Sequence, residues 1–296
     1  MSRRRVVITG VGLVTPLGET VEQFWGALVS GQSGINHICR FDATNFGVRI
    51  GGECRTFEPT RYMDRRSAKR LDRFAQFAVV AAQQTARDAR FDPASVDLER
   101  VGVILGSGIG GLAELEQQHV RLLQRGPDKV SAFTIPKLMA NAASGNISIL
   151  FGARGPNTSV ATACASATNA MGDAFKAIQR GEADVMFTGG TEAALTPLGL
   201  AAFSAMKALS MRNDDPAAAS RPFDRDRDGF VLGEGAGILI FEEYEHALRR
   251  GAPIYAEVLG FGMSGDACDI VQPEQEGSGA ALAMRRALAD AHVEPE

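Results

Sequence analysis

Cysteine is scarce in this chain. Cys39, Cys54, Cys164 and Cys268 are the only four, and no C-x-x-C pair exists. That excludes a disulfide framework or cysteine-rich zinc site and fits a reducing cytoplasm. Histidine is as sparse. His37, His119, His246 and His292 fall in no metal-binding spacing, so no metal or cofactor is expected, and none has the setting of a catalytic base. His119 and His246 stand among charged residues of helix-like stretches, where a solvated role is expected. Long apolar runs are also missing. "MSRRRVVITG" follows its basic start with three apolar residues before Thr9 and Gly10. A secretory signal needs about 7–15 apolar residues and a membrane span about 20. Charge of one sign is lacking too: 31 basic residues oppose 35 acidic ones, for a net charge of −4. No overall field draws the chain to nucleic acid or membrane.

What is present is a large apolar fraction, 45% over 296 residues, enough for two domains or one large α/β unit. Short β-branched runs end in glycine at 5–12, 101–111 and 184–190, with further runs at 159–163 and 235–244. They read as buried strands. Between them, 66–89 and 165–181 carry apolar residues at three- and four-residue steps and read as helices. Alternation of the two implies an α/β fold with a buried sheet. "AAQQTARDARFDP" (81–93) and "AMRRALADAHVEP" (283–295) align at an offset of 202, as a duplicated fold would, although two amphipathic helices can match by chance.

Two stretches imitate binding motifs. "GSGIGG" (106–111) matches the dinucleotide fingerprint, but no second strand ending in an acidic residue follows about 20 positions on. A glycine-rich wall around a substrate fits better. "DRDRDGFVLGEG" (224–235) sets Asp224, Asp226, Asp228 and Gly229 as in a calcium loop, yet Gly235 occupies the bidentate glutamate position. A strand-like run, not a helix, follows it.

"SVATACASATNA" (159–170) places Cys164 between a strand-like and a helix-like run. A helix starting just after it would aim unpaired N–H groups and its positive dipole end at the sulfur, favouring a thiolate. Ala163, Ala165 and Ser166 are small enough for a sharp turn. On these residues alone, nucleophile and small structural hydrophobe remain equally open.

The stretch from "GPNTSVATACASATNAMGDAFKAIQRGEADVMFTGGTEAALTPLG" to "SRPFDRDRDGFVLGEGAGILIFEEYEHALRRGAPIYAEVLGFGMSGDA" resembles the β-ketoacyl-acyl-carrier-protein synthases, nearest to the elongating synthase II type. The resemblance begins at "VVITGVGLVTPLG" and reaches the last residue. It implies a thiolase-like layered αβαβα fold: a complete N-terminal half with the nucleophile (1–252) and the start of a C-terminal half (253–296). It implies a homodimer, and Cys164 as the nucleophile that takes an acyl chain from acyl carrier protein. Decarboxylation of malonyl-carrier protein then extends the chain by two carbons. The family continues for roughly a further hundred residues, the size of a repeated α/β half. That stretch normally carries two histidines, a lysine and a glycine-rich loop, so the chain is expected to be incomplete.

By motif match the resemblance assigns Ile109, Phe133 and Phe203 to the acyl tunnel, with Phe133 reaching in from the partner subunit; ordinary core packing is the alternative for all three. It assigns Arg66, Lys69, Arg70 and Lys207 to docking the acidic carrier, although basic residues on a helix face are commonly just solvated. Asp269 stands where relatives often carry histidine. Rival readings are a thiolase, a type II polyketide ketosynthase, or an inactive module serving dimerisation or carrier binding.

Overall fold

The computed structural model describes residues 3–295. The first half of the chain forms β1 (Val6–Val14), α1 (Val21–Val29), β2 (Asn36–His37), β3 (Ile50–Gly51), α2 (Arg65–Lys69), α3 (Arg73–Asp88), β4 (Val101–Gly106), α4 (Leu112–Arg125), α5 (Thr134–Leu138) and α6 (Ala142–Phe151). Then come β5 (Asn157–Val160), α7 (Ser166–Gln179), β6 (Val185–Glu192), α8 (Pro197–Ala205), β7 (Gly235–Glu243), α9 (Tyr244–Arg249), β8 (Ala256–Val258) and α10 (Ser278–Ala291).

Six strands form one mixed sheet in the order β5-β4-β6-β7-β1-β8. β4 runs parallel to β5 and β6, while β7 is antiparallel to β6 and β1. Side chains alternate across a strand, so each strand feeds two cores. Val101, Val103 and Leu105 of β4 join the core under α3 and α6, whereas Ile104 joins the core under α7. Val185 and Phe187 of β6 part from Met186 in the same way, as do Ile238 and Ile240 of β7 from Phe241. Burial on both faces is why these strands read as continuous apolar runs.

Two boundaries differ from the sequence reading. The stretch 66–89 forms two helices because Asp72 leaves helical geometry to cap α3, its carboxylate accepting the Phe74 N–H, and its other oxygen accepts the Glu114 N–H. The run at 159–163 stops being strand at Val160, since the chain must turn into the helix that carries Cys164.

The matching segments 81–93 and 283–295, which begin within α3 and α10, share a geometry as well as a pattern. A Cβ on Gly12 would lie 2.2 Å from the Ala81 carbonyl oxygen, and one on Gly262 2.3 Å from that of Ala283. Gly10 and Gly260 meet the Thr85 and Ala287 carbonyls, both at 2.5 Å. Each helix therefore packs on a Gly-x-Gly segment that only glycine permits. The β1 and β8 regions also pair with each other: Val6 opposes Val258, Val7 opposes Glu257 and Ile8 opposes Ala256. Because Gly10 corresponds to Gly260, this pairing is self-complementary, as a pseudo-twofold relation requires.

Two polar clusters tie the layers together. Glu242 is fully buried; it receives the Thr9 hydroxyl, a two-point contact from Arg250 and, at 2.6 Å, Nδ1 of His246. The expected solvated role of His246 is thus corrected: one turn past Glu242, its ring is held against that carboxylate. His119 is exposed. Asp184 receives Arg100 through two nitrogens and also pairs with Arg4. These contacts, Arg100 foremost, hold its carboxyl at about 2. A depressed folded value stabilises above the unfolded value of 3.8 and is lost as pH falls toward about 2. Asp184→Asn is therefore expected to cost about 1 kcal/mol at neutral pH, allowing for solvent screening. Urea midpoints of wild type and variant should converge between about pH 4 and 2; a difference constant over that range would refute the assignment.

Candidate active site

β4 ends at Gly106, opposite Gly190 of β6, which runs two residues further beside β7. A Cβ on Gly106 would lie 2.2 Å from the Ser166 carbonyl carbon, and one on Gly190 2.6 Å from the Ala167 Cβ. The N-terminus of α7 thus rests directly on facing glycines of two neighbouring strands. From Val160 the chain reaches it through a 3₁₀ turn, Ala163–Ala165, with Cys164 at its centre. Ala163 adopts φ +51°, a left-handed conformation uncommon outside glycine. Ser166 fastens the turn: its hydroxyl donates to the Ala163 carbonyl at 2.7 Å and accepts the Thr162 N–H at 2.8 Å.

Cys164 is exposed on this turn. Cys54 differs sharply, since burial above all, with Glu234 beside it, pushes its thiol up to about 12. The Cys39 thiol donates to Glu53 at 3.0 Å, which also raises its value. Cys268 lies on an exposed loop, where Asp269 accepts the Val271 and Gln272 N–H groups. Of the four, Cys164 alone combines exposure with the start of a long helix.

Ile109 and Phe133 are both partly exposed, at 42% and 44%, so neither is ordinary core. Phe203, half-buried on α8, packs edge-on against Phe230 with ring centroids 5.7 Å apart. Lys207 follows that helix, exposed, with φ +54°. Arg66, Lys69 and Arg70 are exposed on or beside α2, and the Arg70 guanidinium lies 5.2 Å from the Phe133 ring centre. These three, with Arg65 and Phe133, line an open cleft of about 590 Å³. The fold thus joins a proposed tunnel residue to the basic helix, while Lys207 comes from a separate element.

The "GSGIGG" segment follows β4 and precedes α4, as a nucleotide loop would. Its amides are already taken, however. Gly108 and Ile109 donate to Oε2 of Glu192 at 2.8 and 3.1 Å, Gly110 to the Ser107 hydroxyl, and Gly111 to the Leu138 carbonyl. An internal carboxylate occupies the place of a pyrophosphate. Burial pushes the Glu192 carboxyl up, and its Oε1 has no hydrogen-bond partner among the described residues. Sequence reading missed Glu192; the one signal was an acidic residue two places beyond the glycine that closes the apolar run at 184–190. In the other imitated motif, Asp228 binds the Ser210 hydroxyl and Met211 N–H, Asp224 caps the Asp226 N–H, and β7 follows as a strand.

A layered α/β sheet bearing an exposed cysteine on a strained strand-to-helix turn defines a thiolase-like acyl-transferring enzyme. Residues 3–247 match the family model "Beta-ketoacyl synthase, N-terminal domain". The chain is 51% identical over its full length to 3-oxoacyl-[acyl-carrier-protein] synthase 2 of Synechocystis and to that of Vibrio cholerae, spanning 71% and 72% of those proteins. A solved type II PKS acyl-carrier protein in complex with its ketosynthase matches at a TM-score of 0.88 and 33% identity, over 99% of this chain and 71% of that one. The chain belongs to the β-ketoacyl synthase family, whose members are acyltransferases.

The seat of α7 gives a direct test. Gly106→Ala forces a methyl group into the Ser166 backbone and should destabilise the protein by about 2 kcal/mol or more. It should also change the alkylation rate of Cys164 by iodoacetamide. Stability within about 0.5 kcal/mol of wild type in urea unfolding would show that the helix does not rest on this strand end.

Proposed function

We propose that the chain acts as a 3-oxoacyl-[acyl-carrier-protein] synthase of fatty acid elongation, with Cys164 as the acylated residue. The observation that carries the reading is the exposed thiol on the Ala163–Ala165 turn at the start of α7. The thiolate attacks the thioester carbonyl of an acyl carrier protein, and the tetrahedral adduct expels the carrier's thiol. Backbone N–H groups at the turn, that of Cys164 among them, stabilise the oxyanion. In the second half-reaction malonyl-carrier protein loses CO₂, and the carbanion attacks the acyl-cysteine carbonyl. The thiolate leaves, and a 3-oxoacyl chain two carbons longer stays on the carrier. No described residue is assigned to the decarboxylation.

Ile109, Phe133 and Phe203 are proposed to shape the acyl path, and Arg66, Lys69, Arg70 and Lys207 to receive the acidic carrier. The solved relative with its carrier protein bound supports such a partner. Fatty acid rather than polyketide synthesis is favoured by the higher identity to the synthase 2 relatives. Residues 1–252 are taken as the half bearing the nucleophile, with 253–296 starting the second. A homodimer is supported by β5, whose outer edge ends the sheet and packs against α6, where Ile149 is exposed. No helix among the described residues is long and apolar enough to cross a membrane, and the described cysteines are free, which together support a cytoplasmic setting.

Incubation with acyl carrier protein should yield an acyl adduct on Cys164, absent from Cys164→Ala; an adduct-free wild-type protein by intact mass spectrometry refutes the assignment. Lys69→Glu should weaken carrier binding roughly tenfold at low salt and less at high salt. Unchanged affinity, measured by calorimetry, would remove α2 from the docking surface.

A further inference from the structure

We propose that Glu192 is a positioning residue for acyl-chain selection, holding the Gly108–Ile109 segment against the Cys164 turn. The proposal rests on the acyl-enzyme reading above. Gly106 and Gly190 form the last β4–β6 pair; two places further, Glu192, the final residue of β6, pairs with Gly235 of β7 and its side chain reaches across to Gly108. Its Oε2 accepts the N–H groups of both Gly108 and Ile109, so their amide bonding depends on one side chain. The point where a Gly108 Cβ would stand lies 3.1 Å from that oxygen and 3.6 Å from the Ala163 carbonyl oxygen. Segment, carboxylate and cysteine turn therefore meet at one place.

The segment is otherwise built to shift. Glycine stands at 106, 108, 110 and 111, Gly110 has φ +81°, and the Ile109 side chain is 42% exposed rather than locked in the core. Its fixed ends are Ser107, which donates its N–H to Val160, and Gly111, bonded to Leu138. Between them the two Glu192 bonds hold the amides of Gly108 and Ile109, and the Ser107 hydroxyl holds that of Gly110. A carboxylate gives the amides a charge-assisted acceptor, stronger than a neutral amide can. Its other oxygen, Oε1, is buried with no hydrogen-bond partner among the described residues. Loosening the Oε2 hold lets Ile109 recede, which favours longer acyl chains.

The test compares the full chain with Glu192→Gln and Gly108→Ala. The second displaces the same segment while keeping the carboxylate. Amide hydrogen exchange at Gly108 and Ile109 should rise about tenfold in Glu192→Gln. The ratio of Cys164 adduct formed from long-chain against short-chain acyl carrier protein should rise about fivefold in both variants. Faster exchange with an unchanged ratio reduces Glu192 to a structural staple and overturns the proposal, as does unchanged exchange. If Glu192→Gln fails to fold, the ratio in Gly108→Ala decides. Wild-type protein giving no adduct at either length overturns the acyl-enzyme reading itself, and the selectivity claim with it.

Discussion

The seating of α7 on Gly106 and Gly190 is the contact on which the rest depends. Any side chain at Gly106 would collide with the helix backbone, so the strand end and the first helical turn can touch only because glycine is there. That contact fixes how steeply the chain must climb from Val160 to Ser166. The climb is made with one left-handed alanine and a 3₁₀ turn, which Ser166 closes from inside the helix. Cys164 stands at the top because nothing larger than a short turn fits between strand and helix.

The same device is used again away from the cysteine. Gly10 and Gly12 let α3 settle onto β1, and Gly260 and Gly262 let α10 settle onto the segment after β8, with nearly the same distances. Strand residues of the two copies correspond at an offset of 250, the helix residues at 202. The second copy thus preserves the packing and shortens what lies between. Phe261, between the second pair of glycines, covers Gly172 of α7, and Asp290 of α10 takes Lys176 of α7. The repeated unit consequently supports the cysteine helix from the side opposite the sheet.

Much of this was legible in the residues. Buried strands announced themselves because both sheet faces are covered, and the quoted motifs carried the family. Legibility failed where a side chain acts across the fold. Asp72 breaks a helix that periodicity alone continues, because its cap serves two helices at once. His246 looks solvated in sequence and is bound to a buried glutamate. "GSGIGG" matches a nucleotide loop until Glu192, more than eighty residues away, is seen on its amides.

The sequence by itself determined the alternation of strands and helices, the position of the cysteine at a junction, and the facing glycines of β4 and β6. Those depend on local pattern and on backbone freedom, which each residue carries with it. Tertiary structure alone decided that Cys164 is exposed while Cys54 is sealed, and that the loop amides belong to Glu192. It also decided that Phe133 lies beside Arg70. Burial and hydrogen-bond partnership are properties of chain segments brought together from far apart, and no local pattern encodes which ones meet.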